Sequence, residues 1–337
     1  MMISAPETYG LTAEQTLAHR AAAQPPADFE EFWREFREAI GSHKPFLRDS
    51  LDAEVNRISF ESLRNVRIAG QLTMPDGEVR GAVIATHGYE VAEADFHGEP
   101  EPWTAAGLAT LRIRVRGYPP SAEDMPDLRG AWILHHIDSP DAWILRGAVA
   151  DVVQAYRCVR ARFGPAIPIF LHGESFGGGL AVMAAAQLAA MDNPPSRLVL
   201  ALPSFGDWRW RADHYCNGSG GQVNRVIETR RQDAERFIEQ LRLFDAALHA
   251  SAIRCPVLCK LALQDDVVPA PTAAAIFHAL DSEQKWRFIV RYGHYEGGIA
   301  DLRRHALFER LHAQFLDPHV DPAELLARHA DSLTLAT

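Results

Sequence analysis

The sequence predicts an α/β fold, a mainly parallel sheet with helices on both faces. Two patterns carry that prediction. Short β-branched runs alternate with amphipathic segments along most of the chain, the order that builds parallel sheets. Several of those runs end in a glycine turn, at the strand ends where such sheets assemble their sites. With 337 residues, 47% of them hydrophobic, the chain has ample material for a substantial core.

The pattern opens with a helix. In Asp28-Phe-Glu-Glu-Phe-Trp-Arg-Glu-Phe36 the apolar Phe29, Phe32, Trp33 and Phe36 recur at i, i+3, i+4 and i+7, with Asp28 placed to cap. Strands are expected over 53–60 and 65–74, the second closed by Pro75-Asp76-Gly77. The run 81–88 reads as a buried strand ending in a glycine turn, and a helix closing at Gly107 leads into a strand over 108–115. Residues 117–145 form an excursion that a bare sheet does not need, of the length of a lid or binding loop. A helix over 146–163, a strand over 167–172, a further helix and a strand over 197–202 follow.

A second insertion spans 203–250, Gly-rich at Asn217–Gly221, with a polar helix around 224–239. Strands over 255–261 and 285–292, each with a helix after it, complete the set. No repeat or low-complexity linker divides the chain. It parses as one domain over 27–316 carrying two lid-like insertions, with an N-terminal extension (1–26) and a C-terminal tail (317–337) of Ala and Leu at helical spacing.

Thirty-four Lys and Arg against 44 Asp and Glu leave a net charge of −10. An acidic chain without a basic run is a poor candidate for binding nucleic acid or an anionic membrane surface. No stretch approaches the roughly 20 apolar residues of a membrane helix. The N-terminal MMISAPETYGLTAEQ lacks a cationic start followed by an apolar block, so no secretory signal is read and the cytoplasm is the expected setting. Cys158, Cys216, Cys255 and Cys259 lack zinc-ligand spacing and read as buried or free thiols. His135-His136 has no third ligand at helical spacing, and the glycine runs do not follow strands as a dinucleotide fingerprint would, so no metal or nucleotide is expected.

Gly173-Glu174-Ser175-Phe176-Gly177 matches G-x-S-x-G where that motif belongs, after a strand and before an Ala-rich helix. The glycines make room for a tight turn with the serine at its apex. A serine hydroxyl needs a base, and the base needs an orienting acid. Downstream, in the order Ser, acid, His, come Asp265 in Gln264-Asp265-Asp266-Val-Val-Pro269 and His294 after Gly293, both at strand ends. Asp265 is the expected acid, with Asp266 as the alternative, and His294 the base. The competing reading, a helix cap and a surface histidine, leaves the order unexplained. Two backbone N–H groups should hold the oxyanion, that of Phe176 and that of Tyr89 in the turn after His87-Gly88. Trp132, Trp143, Trp208 and Trp210 lie in the insertions, as pocket walls or as lid packing.

At this point the sequence resembles the acetyl xylan esterase / cephalosporin C deacetylase family of α/β-hydrolases, carbohydrate esterase family 7. The resemblance rests on the opening helix Asp28–Trp33, Thr86-His-Gly-Tyr89, Arg116-Gly117, Gly173–Gly178, Leu243-Phe-Asp-Ala-Ala247, Ile253-Arg-Cys-Pro-Val257, Asp265–Pro269 and Tyr292-Gly-His294. It implies an α/β-hydrolase fold and a triad of Ser175, Asp265 and His294. It further implies cofactor-free removal of acetyl groups from a small sugar or cephalosporin-like ester, and a homo-oligomer, commonly a hexamer. Arg116, Tyr118, Trp132, Trp208 and Trp210 become candidate pocket residues. The chain departs from the family where Phe176 replaces the usual Gln, making that wall more apolar. It departs again at Arg114 and Tyr118-Pro119, and where Tyr295 separates His294 from Glu296. These changes motivate a rival, a lactone, thioester or carbon–carbon bond hydrolase of a biosynthetic pathway. A non-catalytic receptor on the same fold is the rival from outside enzymes.

Overall fold

The computed structural model describes residues 8–49, 57–89, 101–128, 130–230, 232–294 and 297–335. The strands are β1 (Arg48–Asp49), β2 (Arg57–Glu61), β3 (Arg67–Thr73), β4 (Gly81–Thr86), β5 (Leu108–Arg114), β6 (Ile169–Glu174), β7 (Arg197–Ala201), β8 (Val257–Gln264) and β9 (Lys285–Tyr292). Among the described residues they form a nine-stranded sheet in the order β1-β2-β3-β5-β4-β6-β7-β8-β9. From β5 to β9 every pairing is parallel. The first three strands join antiparallel at one edge. The expected strand over 53–60 begins in residues outside those described.

Alternation along the central strands divides the core in two, because successive side chains leave a strand on opposite faces. Ala82, Ile84, Ile169, Leu171, Leu198, Leu200, Val257 and Cys259 enter one apolar cluster, and Val83, Ala85, Phe170, Val199, Ala201 and Leu258 the other. Helices cover both faces. They are α1 (Ala13–Ala18), α2 (Phe29–Gly41), α3 (Ile144–Phe163), α4 (Phe176–Ala190), α5 (Trp208–Asp213), α6 (Gly218–Thr229), α7 (Ala234–Arg242), α8 (Ala246–Ala250), α9 (Ala270–Ala279), α10 (Ile299–Phe315), α11 (Pro322–Arg328) and α12 (Ala330–Leu333).

The α2 stripe forms as the spacing requires. Phe32, Trp33, Phe36 and Ile40 are buried, and the Trp33 indole donates to Leu243 O at 2.8 Å. Asp28 sits at the helix start without making a side-chain cap bond. The N-terminal segment packs on the body. Thr12 and Gln15 close a capping box on α1, α1 lies against α9, and His278 Nε2 meets Leu17 O at 2.7 Å. At the other end Leu325 and Leu326 of α11 are buried in the second cluster beside Phe315. The polar stretch expected as one helix over 224–239 falls in two, α6 ending at Thr229 and α7 beginning at Ala234. Among the described residues no helix is long and apolar enough to cross a membrane.

Candidate active site

The parallel strands end on one side of the sheet, and the chemistry-bearing residues sit on the loops that leave them, as open α/β sheets dictate. Ser175 follows β6 and precedes α4 at φ 52°, a left-handed backbone that a non-glycine residue adopts only under constraint. The constraint is visible on both sides. Ser175 N–H donates to Ala201 O at 2.8 Å, and Ser175 O accepts from Ser204 N at 3.0 Å and Gly179 N at 3.1 Å. A Cβ at position 173 would lie 2.3 Å from Gly177 O, and one at 177 would lie 2.5 Å from Thr86 Oγ1. Only glycine fits either place, which is the physical content of the pentapeptide.

His294 spans the gap between the serine and Asp265. Its Nε2 lies 2.8 Å from Ser175 Oγ, and its Nδ1 lies 2.7 Å from Asp265 Oδ2. Asp265 is almost fully buried, and its other oxygen accepts from the amides of Val267 (2.9 Å) and Val268 (3.0 Å). The adjacent Gly293 is obligatory, because a Cβ there would lie 1.9 Å from Asp265 Oδ2. Asp266 turns away to the second insertion, bonding Asn217 Nδ2 at 2.6 Å. Burial is the largest influence on His294 and opposes its protonation. The hydrogen bond and charge of Asp265, aided by Glu174, together outweigh it and raise the imidazole pKa above its ordinary value.

The turn after β4 is held by a neutral histidine. His87 Nδ1–H donates to Gly88 O at 2.7 Å, and its Nε2 accepts from Val115 N–H at 3.2 Å. Burial pushes its pKa down to about 3, so the lone pair that Val115 needs stays free of a proton. The next residue, Tyr89, is braced through its hydroxyl, which accepts from Ile133 N–H at 3.1 Å. Residues 90–100, which follow it, and Tyr295 and Glu296 after His294 lie outside the described residues.

A cavity of about 680 Å³ opens over Ser175. Tyr89, Glu174, Leu202, Ser204, Val268 and His294 are among its walls, with Asp301, Leu302 and His305 of α10 on one side. None of the five candidate pocket residues lines it. Arg116 is buried in a pair with Asp151, Nη2 to Oδ1 at 2.7 Å and backbone N–H to Oδ2 at 2.9 Å. The indole of Trp132 donates to Arg116 O at 2.8 Å. Tyr118 is buried between His87 and Trp132. Trp208 is buried with its N–H toward Phe244 O, and Trp210 stacks on His214 and meets Tyr9 of the N-terminal segment. These aromatics pack inside the fold: Trp132 and Trp208 give their N–H groups to backbone oxygens, and the Tyr118 and Trp210 rings lie against other rings. The Phe176 ring also turns inward, against Tyr89, Trp132 and Phe205, and does not line the cavity. Its backbone N–H stands at the start of α4, directly after Ser175.

The first insertion contributes no wall to the cavity among the described residues. It stands behind Tyr89 and Phe176 instead. Ser204, Gly218 and Ser219 are what the second insertion brings to the lining. The His135 and His136 rings lie elsewhere, tilted to each other with centroids 4.1 Å apart, and among the described residues no group of three His, Cys, Asp or Glu is placed to hold a metal ion. All four cysteines are free thiols; burial pushes those of Cys158 and Cys255 up to about 12. No sequence motif singles out Glu174, Lys260, Asp301 or His305 for the site. Glu174 lay in plain view inside the pentapeptide, whereas α10 carried no motif.

Comparison with known proteins agrees with this architecture. The acetyl xylan esterase 1 of Thermoanaerobacterium sp. JW/SL YS485 superimposes with a TM-score of 0.71 at 21% identity, over 89% of this chain and 98% of that one. The acetyl xylan esterase of Paenibacillus sp. R4 gives 0.72 at 21% identity, over 90% and 99%. Such identities speak for the fold. A monoacylglycerol lipase of Mycolicibacterium smegmatis is 26% identical over 125 residues, a match spanning 36% of this chain and 38% of that protein. The model of the acetyl xylan esterase family matches residues 7–310. That match takes in the nucleophile turn, the acid loop and the histidine loop together, and by it the chain belongs to the acetyl xylan esterase family of carboxylic ester hydrolases.

Proposed function

We propose that the protein is a serine carboxylic ester hydrolase that removes short acyl groups, acetyl foremost, from a small hydroxylated substrate. The observation that supports this most is the unbroken relay from Asp265 through His294 to Ser175 at the base of an open cavity. Ser175 Oγ attacks the ester carbonyl while His294 Nε2 takes its proton, and Asp265 steadies the imidazolium that forms. The amides of Tyr89 and Phe176 receive the negative charge of the tetrahedral intermediate, the second at the positive end of α4. Collapse expels the alcohol, protonated by His294. Water then attacks the acyl-enzyme by the same route and restores the serine.

A second reading keeps the nucleophile and changes the acyl group. Leu202, Val267, Val268 and Leu302 line a cavity larger than an acetyl group fills, which favours a longer acyl, lactone or thioester substrate. Rates on nitrophenyl esters from acetyl to octanoyl, with Ser175→Ala as background, separate the two. A sharp acetyl maximum, reduced about 10⁴-fold or more in the variant, is the expected result. A maximum at longer chains moves the assignment to the second reading, and no turnover above the variant overturns both in favour of a binding protein.

A further inference from the structure

The cavity over Ser175 has an unbalanced charge. Its walls include Glu174 and Asp301, and among the described residues no lysine or arginine lines it. Glu174 is the residue before the nucleophile, with its side chain about half exposed. The nearest cation is Lys260 of β8, whose amine lies 3.3 Å from Glu174 Oε1 but whose side chain is 3% exposed. Lys260 therefore sits behind the wall, over the Phe308 ring at 4.9 Å and 3.9 Å from Glu309 Oε1. One buried cation thus faces two carboxylates, and Asp301 adds a third on the cavity wall. Burial works against the Glu174 carboxylate, but the charge of Lys260 wins and holds its pKa below the ordinary value. Asp301 is fixed by Arg291 N–H at 3.3 Å and by His305 Nε2 at 3.2 Å.

We propose that Glu174 is a specificity-determining residue: its carboxylate, anchored from behind by Lys260, makes the cavity select esters with neutral or cationic alcohol portions and reject those carrying a carboxylate. The inference rests on the ester-hydrolase reading and narrows it. Of the two substrate classes the resemblance implies, the acetylated neutral sugar fits this wall, and the carboxylate-bearing cephalosporin does not. A negative group on the leaving alcohol must approach within a few ångströms of Glu174 while the carbonyl sits on Ser175. In a cleft of intermediate dielectric, repulsion at that range corresponds to about tenfold or more in the specificity constant.

The test uses three matched aryl acetates: 3-acetoxybenzoate (anionic), its neutral N-methylamide, and the 3-acetoxyphenyl trimethylammonium ester (cationic). Each is assayed with the wild-type protein and with Glu174→Gln. Taking ratios to the neutral ester cancels any general damage. The expected result is an anion-to-neutral ratio of kcat/KM that rises about tenfold in the variant, with a cation-to-neutral ratio that falls. Ratios that stay fixed overturn the inference and leave the hydrolase reading intact, whereas no turnover of any ester by the wild type removes that reading first. Should Glu174→Gln fail to fold, the wild type alone decides. Raising ionic strength from about 0.01 to about 0.5 M should relieve the anion's disadvantage and erode the cation's gain, and salt-independent ratios overturn the inference.

Discussion

His294 is where opposing influences are most finely set. Burial disfavours its charged form, while the Asp265 carboxylate, 2.7 Å away, favours it and prevails. The base must be neutral to take the Ser175 proton, so kcat/KM should fall as pH drops through a pKa above the ordinary 6.5. Asp265→Asn should move that limb to lower pH and cut turnover by about 10⁴-fold. A pH–rate profile of both proteins checks the sign, and an unshifted limb would count against His294 as the titrating base. Gly293→Ala is a second test at this scale. A Cβ there would meet Asp265 Oδ2 at 1.9 Å, and displacing the carboxylate by an ångström should cost about 10²-fold in kcat, read in a steady-state assay. These residues are legible in the sequence because each carries a local signature: glycines around a serine, an acid at a strand end, Gly before His. The tryptophans are not. A Trp in an insertion reveals that the insertion packs, but not whether its ring faces a ligand or the sheet, since that depends on contacts such as Trp132 with Arg116 O.

At the scale of elements, Asp245 closes the second insertion on itself, and Arg116 ties the first to the body. The Asp245 carboxylate accepts from Asp207 N (2.9 Å), Trp208 N (2.9 Å) and Ala247 N (3.0 Å). It joins the start of α5 to the start of α8. Asp245→Ala strips the partners from buried N–H groups and should cost about 3 kcal/mol, measured as a lower urea midpoint at unchanged slope. Arg116 pairs with a fully buried Asp151. Removing it with Arg116→Ala strands that carboxylate and should cost about 3–5 kcal/mol, by the same measurement. A destabilisation below about 1 kcal/mol in either case would mean that water or a repacked side chain replaces the lost partner. The sequence marked these residues through the Leu243–Ala247 and Arg116-Gly117 motifs, but their partners lie in distant segments, and one sequence carries no sign of such pairings. Strand positions were legible to within a few residues because alternating clusters on both faces leave continuous apolar runs. The division of the polar stretch into α6 and α7 was not, since neither helix announces its end with glycine or proline.

Across the whole molecule, five parallel pairings bring the ends of β4, β6, β7, β8 and β9 to one side, and the cavity lies there. Segments distant in the chain thereby supply one site: the turn at 86–89, Ser175, Asp265 and His294. Behind that site the first insertion braces Tyr89 and Phe176, the two residues whose amides the proposed mechanism uses. The proposed mechanism therefore requires Ser175 to be the activated nucleophile. The direct measurement is reaction with a fluorophosphonate followed by intact mass and peptide mapping. A single adduct on the peptide containing Ser175, absent in Ser175→Ala and greatly slowed in His294→Ala, is the predicted result. A wild-type chain that stays unlabelled, or one labelled at another residue, would contradict it.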